Sequence, residues 1–199
     1  MKSIIIICIA SLIGFGKLSH AADANGNFSI EGAGVAPCKR VTQAFKEQGK
    51  EYFIYGGWIE GYISAVNATR EDTFDMTPWQ STQLVYYAVT QYCSNNNNAN
   101  LHNAVSQVVN SLQEERIIKG GKFVAIQVGK QKTVLQESII KRIQQKLLEL
   151  KLYNANLDGD FTDKLKESIK AYQKSLELEA NGFPDQRTLL KLFASATKK

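Results

Sequence analysis

The sequence predicts a mainly α protein in which two small helical domains are joined by a short β-hairpin or an extended linker. Apolar residues recur at steps of three and four in two separate regions, residues 38–115 and 133–199, which is the spacing of a helical face. Between them, Phe123 to Leu135 is rich in β-branched residues and is interrupted by Gly129. This pattern is typical of a hairpin, so residues 116–132 are predicted to be a basic linker with extended segments.

Residues 1–21 have the pattern of a signal peptide. Lys2 supplies a positive charge, Ile4 to Leu12 form an apolar run too short to span a bilayer, and Ser19-His20-Ala21 is a small-residue cleavage site. We therefore expect cleavage after Ala21 and a periplasmic or secreted protein. No later stretch has the roughly 20 apolar residues of a membrane span.

Removal of the signal peptide leaves two cysteines, Cys38 and Cys93. In an oxidising compartment this pair predicts a disulfide that closes a loop of about 55 residues and contributes about 4 kcal/mol in the chain-entropy model. Two free thiols or a metal pair are the alternatives. Because His102 is then the one remaining histidine, we expect no metal site. Residues 22–37, before the first cysteine, are predicted to be a flexible N-terminal segment.

Residues 38–115 are predicted to form a disulfide-linked domain of four helices. The helices are expected over Cys38 to Gln48, over Tyr52 to Asn67, from Thr77-Pro78 onward, and over Leu101 to Leu112. In the second helix, Gly57 and Gly61 lie one turn apart. Each Gly weakens a helix by about 1 kcal/mol, so this pair predicts that another helix backbone packs closely there.

Several residues of this region form a recognisable pattern: Trp58-x-x-Gly61-Tyr62, Asn67, Asp75, Tyr92-Cys93 and Ala104. The pattern resembles a family of small, disulfide-linked, all-helical envelope proteins. That family is similar to the Hde-type periplasmic acid-stress chaperones and to immunity proteins that neutralise amidase toxins delivered by type VI secretion. The resemblance implies a domain that binds a protein partner and does not catalyse a reaction.

Residues 133–199 are predicted to form three helices around one small core. The apolar stripes of these helices contain Ile139, Ile140, Ile143, Leu147 and Leu150, then Leu165, Ile169, Tyr172 and Leu176, and finally Leu189, Leu192 and Phe193. A turn rich in Asn, Asp and Gly joins the first two helices. The third begins after Pro184-Asp185, where the Asp185 carboxylate is expected to cap the helix.

The same segment carries a set of motifs in register. They are Ile143-Gln144 with Leu147, the turn from Tyr153 to Phe161, Ile169 with Tyr172-Gln173, and Leu178, Gly182, Asp185 and Thr188 to Leu192. This set resembles the three-helix peptidoglycan-binding module of bacterial cell-wall hydrolases and envelope proteins, which implies peptidoglycan as a partner. Thr162 departs from the usual Gly of the family and Leu165 from the usual Thr. The first departure concerns the turn, because Gly tolerates a positive φ and Thr does not.

Wall binding by this module would use a groove where the Asp-Gly turn meets the Tyr-Gln helix. The candidate ligand-binding residues there are Tyr153, Asn154, Asp158, Tyr172, Gln173 and Arg187. Aromatic faces suit sugar or lactyl groups, while amides and Arg suit peptide carboxylates. The more common role of such residues is to hold a turn or to pack in the core, and Tyr172 lies on the core stripe.

The turn also has the oxygen spacing of a calcium-binding EF-hand loop. Asn154, Asn156 and Asp158 alternate with other residues, and Gly159 stands at the sixth position. The twelfth position is Leu165, where such a loop needs a bidentate Glu. We therefore expect no calcium, and we interpret these side chains as turn-holding groups.

Charge is distributed unevenly along the chain. Residues 22–115 carry five Lys or Arg and ten Asp or Glu, residues 116–132 carry five and none, and residues 133–199 carry twelve and nine. The basic residues are neither in large excess nor interleaved with exposed aromatics, so we expect no nucleic-acid partner. The basic span from Arg116 to Lys132 has two interpretations, a solvated linker or a contact for anionic lipid, teichoic acid or phosphate.

The sequence lacks a catalytic constellation, and we expect no enzyme, no cofactor and no catalytic residue. Zinc hydrolases need several ligands, and Cys-His or Ser-His-Asp sites would have to use His102, with Cys93 expected in a disulfide. The favoured hypothesis is an exported, non-enzymatic envelope protein that binds peptidoglycan with residues 133–199 and a protein with residues 38–115. The alternatives are a cell-wall hydrolase with an unrecognised site around Glu60 or Asp75, or an immunity or inhibitor protein against a wall-degrading amidase.

Overall fold

The computed structural model describes residues 22–194, so the predicted signal peptide, residues 1–21, lies outside the described residues. The chain divides into two units, residues 1–30 and residues 31–199. The described part of the first unit is a turn in which Asp23 Oδ1 accepts hydrogen bonds from the N–H groups of Asn25 and Asn27, at 2.9 and 2.7 Å. All the elements below belong to the second unit.

The described part of the second unit is mostly helical with one β-hairpin, which confirms the predicted fold class. Its elements in order are α1 (Cys38–Glu47), α2 (Lys50–Thr69), α3 (Thr82–Asn95), α4 (Leu101–Ser111), β1 (Phe123–Val128), β2 (Gln131–Gln136), α5 (Glu137–Glu149), α6 (Asp163–Ser175) and α7 (Gln186–Ala194). Two short 3-10 helices, Gly32–Val35 and Gln113–Glu115, precede α1 and follow α4. Within residues 22–194, none of the helices combines the length and the apolar composition that crossing a bilayer requires.

Helices α1 to α4 surround one hydrophobic core. The disulfide between Cys38 and Cys93 joins α1 to α3 inside this core, and both cysteines are buried, so the predicted disulfide is confirmed. Tyr86, Ile59 and Leu101 are among the largest fully buried side chains around it. The four helices therefore have a covalent link as well as a common apolar interior.

Two details of these helices differ from the sequence prediction. The third helix does not begin at Thr77-Pro78 but at Thr82, because the Ser81 side chain caps it by accepting a hydrogen bond from Leu84 N–H. Gly57 and Gly61 are exposed, and a Cβ at either would meet nothing within 4 Å. The predicted close helix contact at this pair is therefore wrong for the described residues.

The hairpin is antiparallel, with Ala125 opposite Val134 and Gln127 opposite Lys132. Val124, Ile126 and Val128 point inward onto a second hydrophobic core. Strand β2 leads directly into α5, so the boundary that the sequence suggested between residues 132 and 133 falls inside a strand.

Helices α5 to α7 and the inner face of the hairpin enclose this second core. Its buried residues include most of the predicted stripes: Ile139, Ile140, Ile143 and Leu147, then Leu165, Ile169 and Tyr172, and finally Leu189 and Leu192. Leu150 and Leu176, which were predicted to end the first two stripes, are exposed because each follows the last residue of its helix. Trp79 and Ile117 also belong to it, although both precede the hairpin in sequence. Ile117 forms an isolated β-bridge with Asp75, which fixes the path of the chain between the two cores.

Candidate functional site

The turn after α5 is held by a buried glutamine. Gln144 Oε1 accepts a hydrogen bond from Gly159 N–H at 3.0 Å, and its Nε2 donates to Asp158 Oδ1 at 2.7 Å and to the Asp160 carbonyl at 3.2 Å. Gly159 has φ +80°, and a Cβ there would lie 2.8 Å from the Glu137 carbonyl oxygen. The turn can approach α5 this closely only because residue 159 is glycine.

The turn after α6 repeats this arrangement. Gln173 Oε1 accepts from Gly182 N–H at 2.8 Å, and its Nε2 donates to the Phe183 carbonyl at 2.9 Å. Gly182 also has φ +80°, and a Cβ there would lie 2.7 Å from the Lys166 carbonyl oxygen. In both turns the carbonyl that a Cβ would crowd, that of Glu137 or of Lys166, lies seven residues before the glutamine. Helices α5 and α6 with their turns are therefore two copies of one structural unit.

The repeat explains both departures from the family pattern. Thr162 has an extended backbone with φ −95°, and it caps α6 by accepting a hydrogen bond from Leu165 N–H at 3.3 Å. Asp185 caps α7 in the same way, as predicted, because its Oδ1 accepts a hydrogen bond from Thr188 N–H at 2.7 Å. The turn geometry therefore does not need glycine at position 162. Leu165 stands three residues after the cap of α6, as Thr188 does after the cap of α7. Its side chain fills the core instead of accepting a hydrogen bond.

The structure places the six candidate ligand-binding residues in different environments. Tyr153, Tyr172 and Gln173 are buried, Asp158 lines the first turn, and Asn154 and Arg187 are exposed. Tyr153 and Asp158 come together around Gln144, which donates to both side chains. Gln173 belongs to the second turn. Gln144 of α5 holds the Asp-Gly turn, and Gln173 of α6 holds the turn that follows its own helix.

Hydrogen bonds at the first turn support the turn-holding interpretation of its polar side chains. Asp158 Oδ1 accepts from Asp160 N–H at 3.0 Å as well as from Gln144, and these bonds, in that order, lower the pKa of its carboxyl group. Tyr153 donates its hydroxyl proton to the Asn156 carbonyl at 3.0 Å, and burial is the main cause that raises its pKa. Within residues 22–194 there is no group of three His, Cys, Asp or Glu side chains suited to a metal ion.

A groove of about 830 Å³ opens between the C-terminal helices and the end of α4. We call it the Trp79 groove. It is lined by Trp79, Ser111, Glu114, Glu115, Lys141, Arg142, Gln145, Lys146, Leu157 and Phe193. The Trp79 and Phe193 rings lie 5.2 Å apart between centroids and, together with Leu157, provide its apolar surface.

The two walls of the Trp79 groove carry opposite charges. Helix α5 supplies Lys141, Arg142 and Lys146, and the segment after α4 supplies Glu114 and Glu115. Arg142 donates to the Glu115 carbonyl at 2.5 Å and to the Arg116 carbonyl at 3.2 Å. Burial lowers the pKa of Arg142, and the nearby Glu115 carboxylate opposes that shift. Arg142 therefore ties the two walls together. The two lysines lie on the rim, where Lys141 pairs with Glu137 at 2.6 Å and Lys146 with Glu149 at 3.1 Å.

Trp79 is fixed in the groove by polar contacts on both sides. Its indole N–H donates to Glu115 Oε2 at 3.3 Å. Its carbonyl accepts a hydrogen bond from Gln186 Nε2 at 2.5 Å, while Gln186 Oε1 accepts from Ser81 N–H at 2.7 Å. The Gln186 amide thus clamps the segment before α3 onto the start of α7, and this clamp orients the aromatic surface.

The groove was not predicted as a site from the sequence. Trp79 was expected in the third helix, and none of the six candidate residues lines the groove. One local signal in the sequence could have placed Trp79 outside the helix. It is Ser81, a good capping residue, which caps α3 and so ends the loop that contains Trp79. The remaining lining residues come from distant positions, so periodicity alone would not bring them together.

The residues that carried the N-terminal resemblance are packing and turn positions. Trp58 stacks on Tyr62 with ring centroids 5.6 Å apart, and Tyr62 contacts His102 at 5.5 Å. Burial lowers the pKa of His102. Asn67 Oδ1 accepts from Met76 N–H at 2.9 Å, which holds the chain between α2 and α3.

The two carboxylates considered for hydrolysis have structural partners. Glu60 is exposed and accepts a hydrogen bond from the Thr82 hydroxyl at 2.5 Å, which links α2 to the start of α3. Asp75 Oδ1 accepts from Thr77 N–H at 3.0 Å beside the Asp75–Ile117 bridge. Each carboxylate therefore stabilises a local turn or helix contact.

Comparison with known proteins gives a family match for the C-terminal part of the chain. No curated protein and no solved structure matches the chain. Residues 136–192 match the family model described as "Putative peptidoglycan binding domain". The match begins at the end of β2 and covers both glutamine-held turns and nearly all of α7, but it does not extend to the disulfide-linked helices. The segment from β2 to α7 is thus similar to a peptidoglycan-binding domain, as its motifs predict.

Proposed function

We propose that the chain is an exported, non-enzymatic protein of the cell envelope. In this proposal it binds peptidoglycan through the C-terminal domain and a protein partner through the N-terminal helices. One observation carries the peptidoglycan part: α5, the first helix of the segment similar to a peptidoglycan-binding domain, forms the basic wall of the Trp79 groove. The groove is therefore the surface on which we expect the wall polymer to bind.

The chemistry of the groove suits the peptide part of peptidoglycan. A stem peptide carries carboxylates, small aliphatic side chains and, at its diamino acid, an amine. Lys141 and Lys146 would exchange their exposed helical partners, Glu137 and Glu149, for the carboxylates of the peptide, and Glu114 would pair with the amine. Leu157 and Phe193, which are more exposed than the buried Trp79, would cover the aliphatic groups. A volume of about 830 Å³ is within the usual range for small-ligand sites, so a few residues of peptide fit.

Co-sedimentation with purified sacculi tests this proposal. The full chain is compared with a Lys141→Gln/Lys146→Gln variant, which removes two groove cations, and with a Lys174→Gln/Lys191→Gln variant as a matched control. Lys174 and Lys191 are exposed on α6 and α7 and do not line the groove. Both variants therefore lose the same charge from the same domain.

We expect the wild type and the control to sediment with sacculi and the groove variant to bind several-fold more weakly. Equal binding by all three proteins would move the site away from the groove, and no binding by the wild type would remove the wall-binding proposal. The supernatants also test the non-enzymatic part. Soluble muropeptides released by the wild type, and absent from a buffer control, would contradict it.

The protein-binding part of the proposal is supported by apolar side chains exposed on the first two long helices. Phe53 and Ile54 on α2 and Tyr87 on α3 are exposed, although large apolar residues usually gain by burial. A photo-crosslinking residue at position 53 should capture a protein in the native host, and one at Gln107, exposed on α4, should not. Equal capture at both positions would contradict this assignment.

A further inference from the structure

The outer face of the hairpin carries exposed apolar residues where soluble proteins usually place polar ones. Side chains alternate along the strands, so Phe123, Ala125 and Gln127 of β1 and Lys132, Val134 and Gln136 of β2 share the face opposite to the core. The apolar residues Phe123, Ala125 and Val134 form its centre, and Gln136 beside Phe123 is buried. Phe123 and Val134 are each 58% exposed, and Ile118, just before the hairpin, is 59% exposed. Because Ala125 pairs directly with Val134, the apolar residues of the face are adjacent.

Lysines flank these apolar residues along the chain. Lys119 and Lys122 precede β1, Lys130 lies in the turn, and Lys132 stands two residues from Val134 on the same face. Residues 116–132 contain no carboxylate in the sequence. Among the described residues, one ion pair involves these lysines, between Lys122 and Asp160 at 3.7 Å, and both of its side chains are exposed. The positive charge of the face is therefore largely uncompensated.

The opposite face holds the hairpin rigidly. Ile126 and Leu135 are buried in the second core, and the Gln131 side chain accepts a hydrogen bond from Asn181 at 2.9 Å. A partner that binds the outer face therefore meets a pre-formed surface and does not have to order a flexible loop.

We propose that this face, comprising Phe123, Ala125, Val134 and the surrounding lysines, docks on the surface of an anionic phospholipid bilayer. The combination of exposed apolar side chains and nearby lysines favours an anionic bilayer over other partners. A hydrophilic polyanion would neutralise the lysines but would gain nothing from Phe123 and Val134. A bilayer offers phosphate groups for the lysines and an apolar interior for the side chains beside them. The proposal does not depend on peptidoglycan binding, because the face shares no residue with the Trp79 groove.

Co-sedimentation of the full chain with lipid vesicles tests this inference. One set of vesicles contains phosphatidylglycerol and phosphatidylethanolamine, and the other contains phosphatidylcholine alone. The variants are Lys130→Glu/Lys132→Glu, Phe123→Ser, and Lys174→Glu/Lys191→Glu as a control with the same change in net charge. All the substituted side chains are exposed, so urea denaturation midpoints close to that of the wild type verify folding.

We expect binding to the anionic vesicles alone, with a partition coefficient about tenfold lower for the Lys130/Lys132 variant and unchanged for the control. Phe123→Ser should lower it severalfold, and the Lys141→Gln/Lys146→Gln groove variant should bind vesicles like the wild type. Equal binding to both vesicle types would overturn the proposal. So would equal losses in the Lys130/Lys132 variant and the control. Unchanged binding of Phe123→Ser, with full competition by soluble polyphosphate, would reassign the face to a hydrophilic polyanion.

Discussion

Gln144 and Gln173 make the same hydrogen bonds in two successive helix-turn repeats. Each is buried, accepts the N–H of a glycine in the left-handed region and donates to a carbonyl just beyond it. A buried polar group that loses its partner costs about 1–3 kcal/mol, so each glutamine stabilises its turn mainly by leaving no backbone group unpaired. The repeat is hidden in the sequence because the spacing from glutamine to glycine is fifteen residues in one unit and nine in the other.

Substitution at Gly159 tests this turn at the scale of one residue. Gly159→Ala should lower the free energy of unfolding by about 2–3 kcal/mol, because φ is +80° and the new Cβ would crowd the Glu137 carbonyl. Gly129→Ala is the control, since Gly129 also has positive φ but its Cβ would meet nothing within 4 Å. Gly129→Ala should lower the free energy of unfolding by about 1 kcal/mol. Urea denaturation measures both, and equal losses would show that the contact with α5 contributes nothing.

At the scale of elements, helical periodicity predicted most helices because each buries one continuous stripe. Leu165, Ile169 and Tyr172 show this in α6, and all three are buried as the spacing requires. The start of α3 was not predictable in this way. Thr77-Pro78 is a typical helix start, but Ser81 caps the helix four residues later.

Trp79 explains why the candidate site was harder to predict than the helices. Its side chain packs in the second core and its backbone is clamped by Gln186, more than a hundred residues away in sequence. The groove depends on such distant pairs, for which the sequence has no local signal. The glutamine-held turns, in contrast, were predicted as turns because Asp158-Gly159 and Pro184-Asp185 are local signals.

Removal of the disulfide tests the covalent link between α1 and α3. Cys38→Ser/Cys93→Ser should lower the free energy of unfolding by about 4 kcal/mol, because the bridge closes a loop of 55 residues in the unfolded chain. Since the bridge lies in the first core, hydrogen exchange should accelerate in α1 to α4 more than in α5 to α7. A uniform increase in exchange across all seven helices would show that the two cores unfold as one.

At the scale of the whole molecule, two cores are joined at a small number of named contacts. Trp79, Ile117 and Arg142 connect the disulfide-linked helices to the C-terminal helices, and the Trp79 groove lies at this junction. A disulfide and a segment similar to a peptidoglycan-binding domain are both typical of extracytoplasmic proteins. The proposed peptidoglycan site therefore requires both parts of the chain, although the family match covers one.

The NMR signals of the two tryptophan indole groups test the central proposal most directly. The chain contains two tryptophans, Trp79 in the groove and Trp58 in the first core beside Tyr62. In an isotope-labelled full chain titrated with soluble muropeptides, the Trp79 indole N–H signal should shift with saturation while that of Trp58 stays in place. A fixed Trp79 signal at muropeptide concentrations that saturate a known wall-binding protein would contradict peptidoglycan binding in the groove.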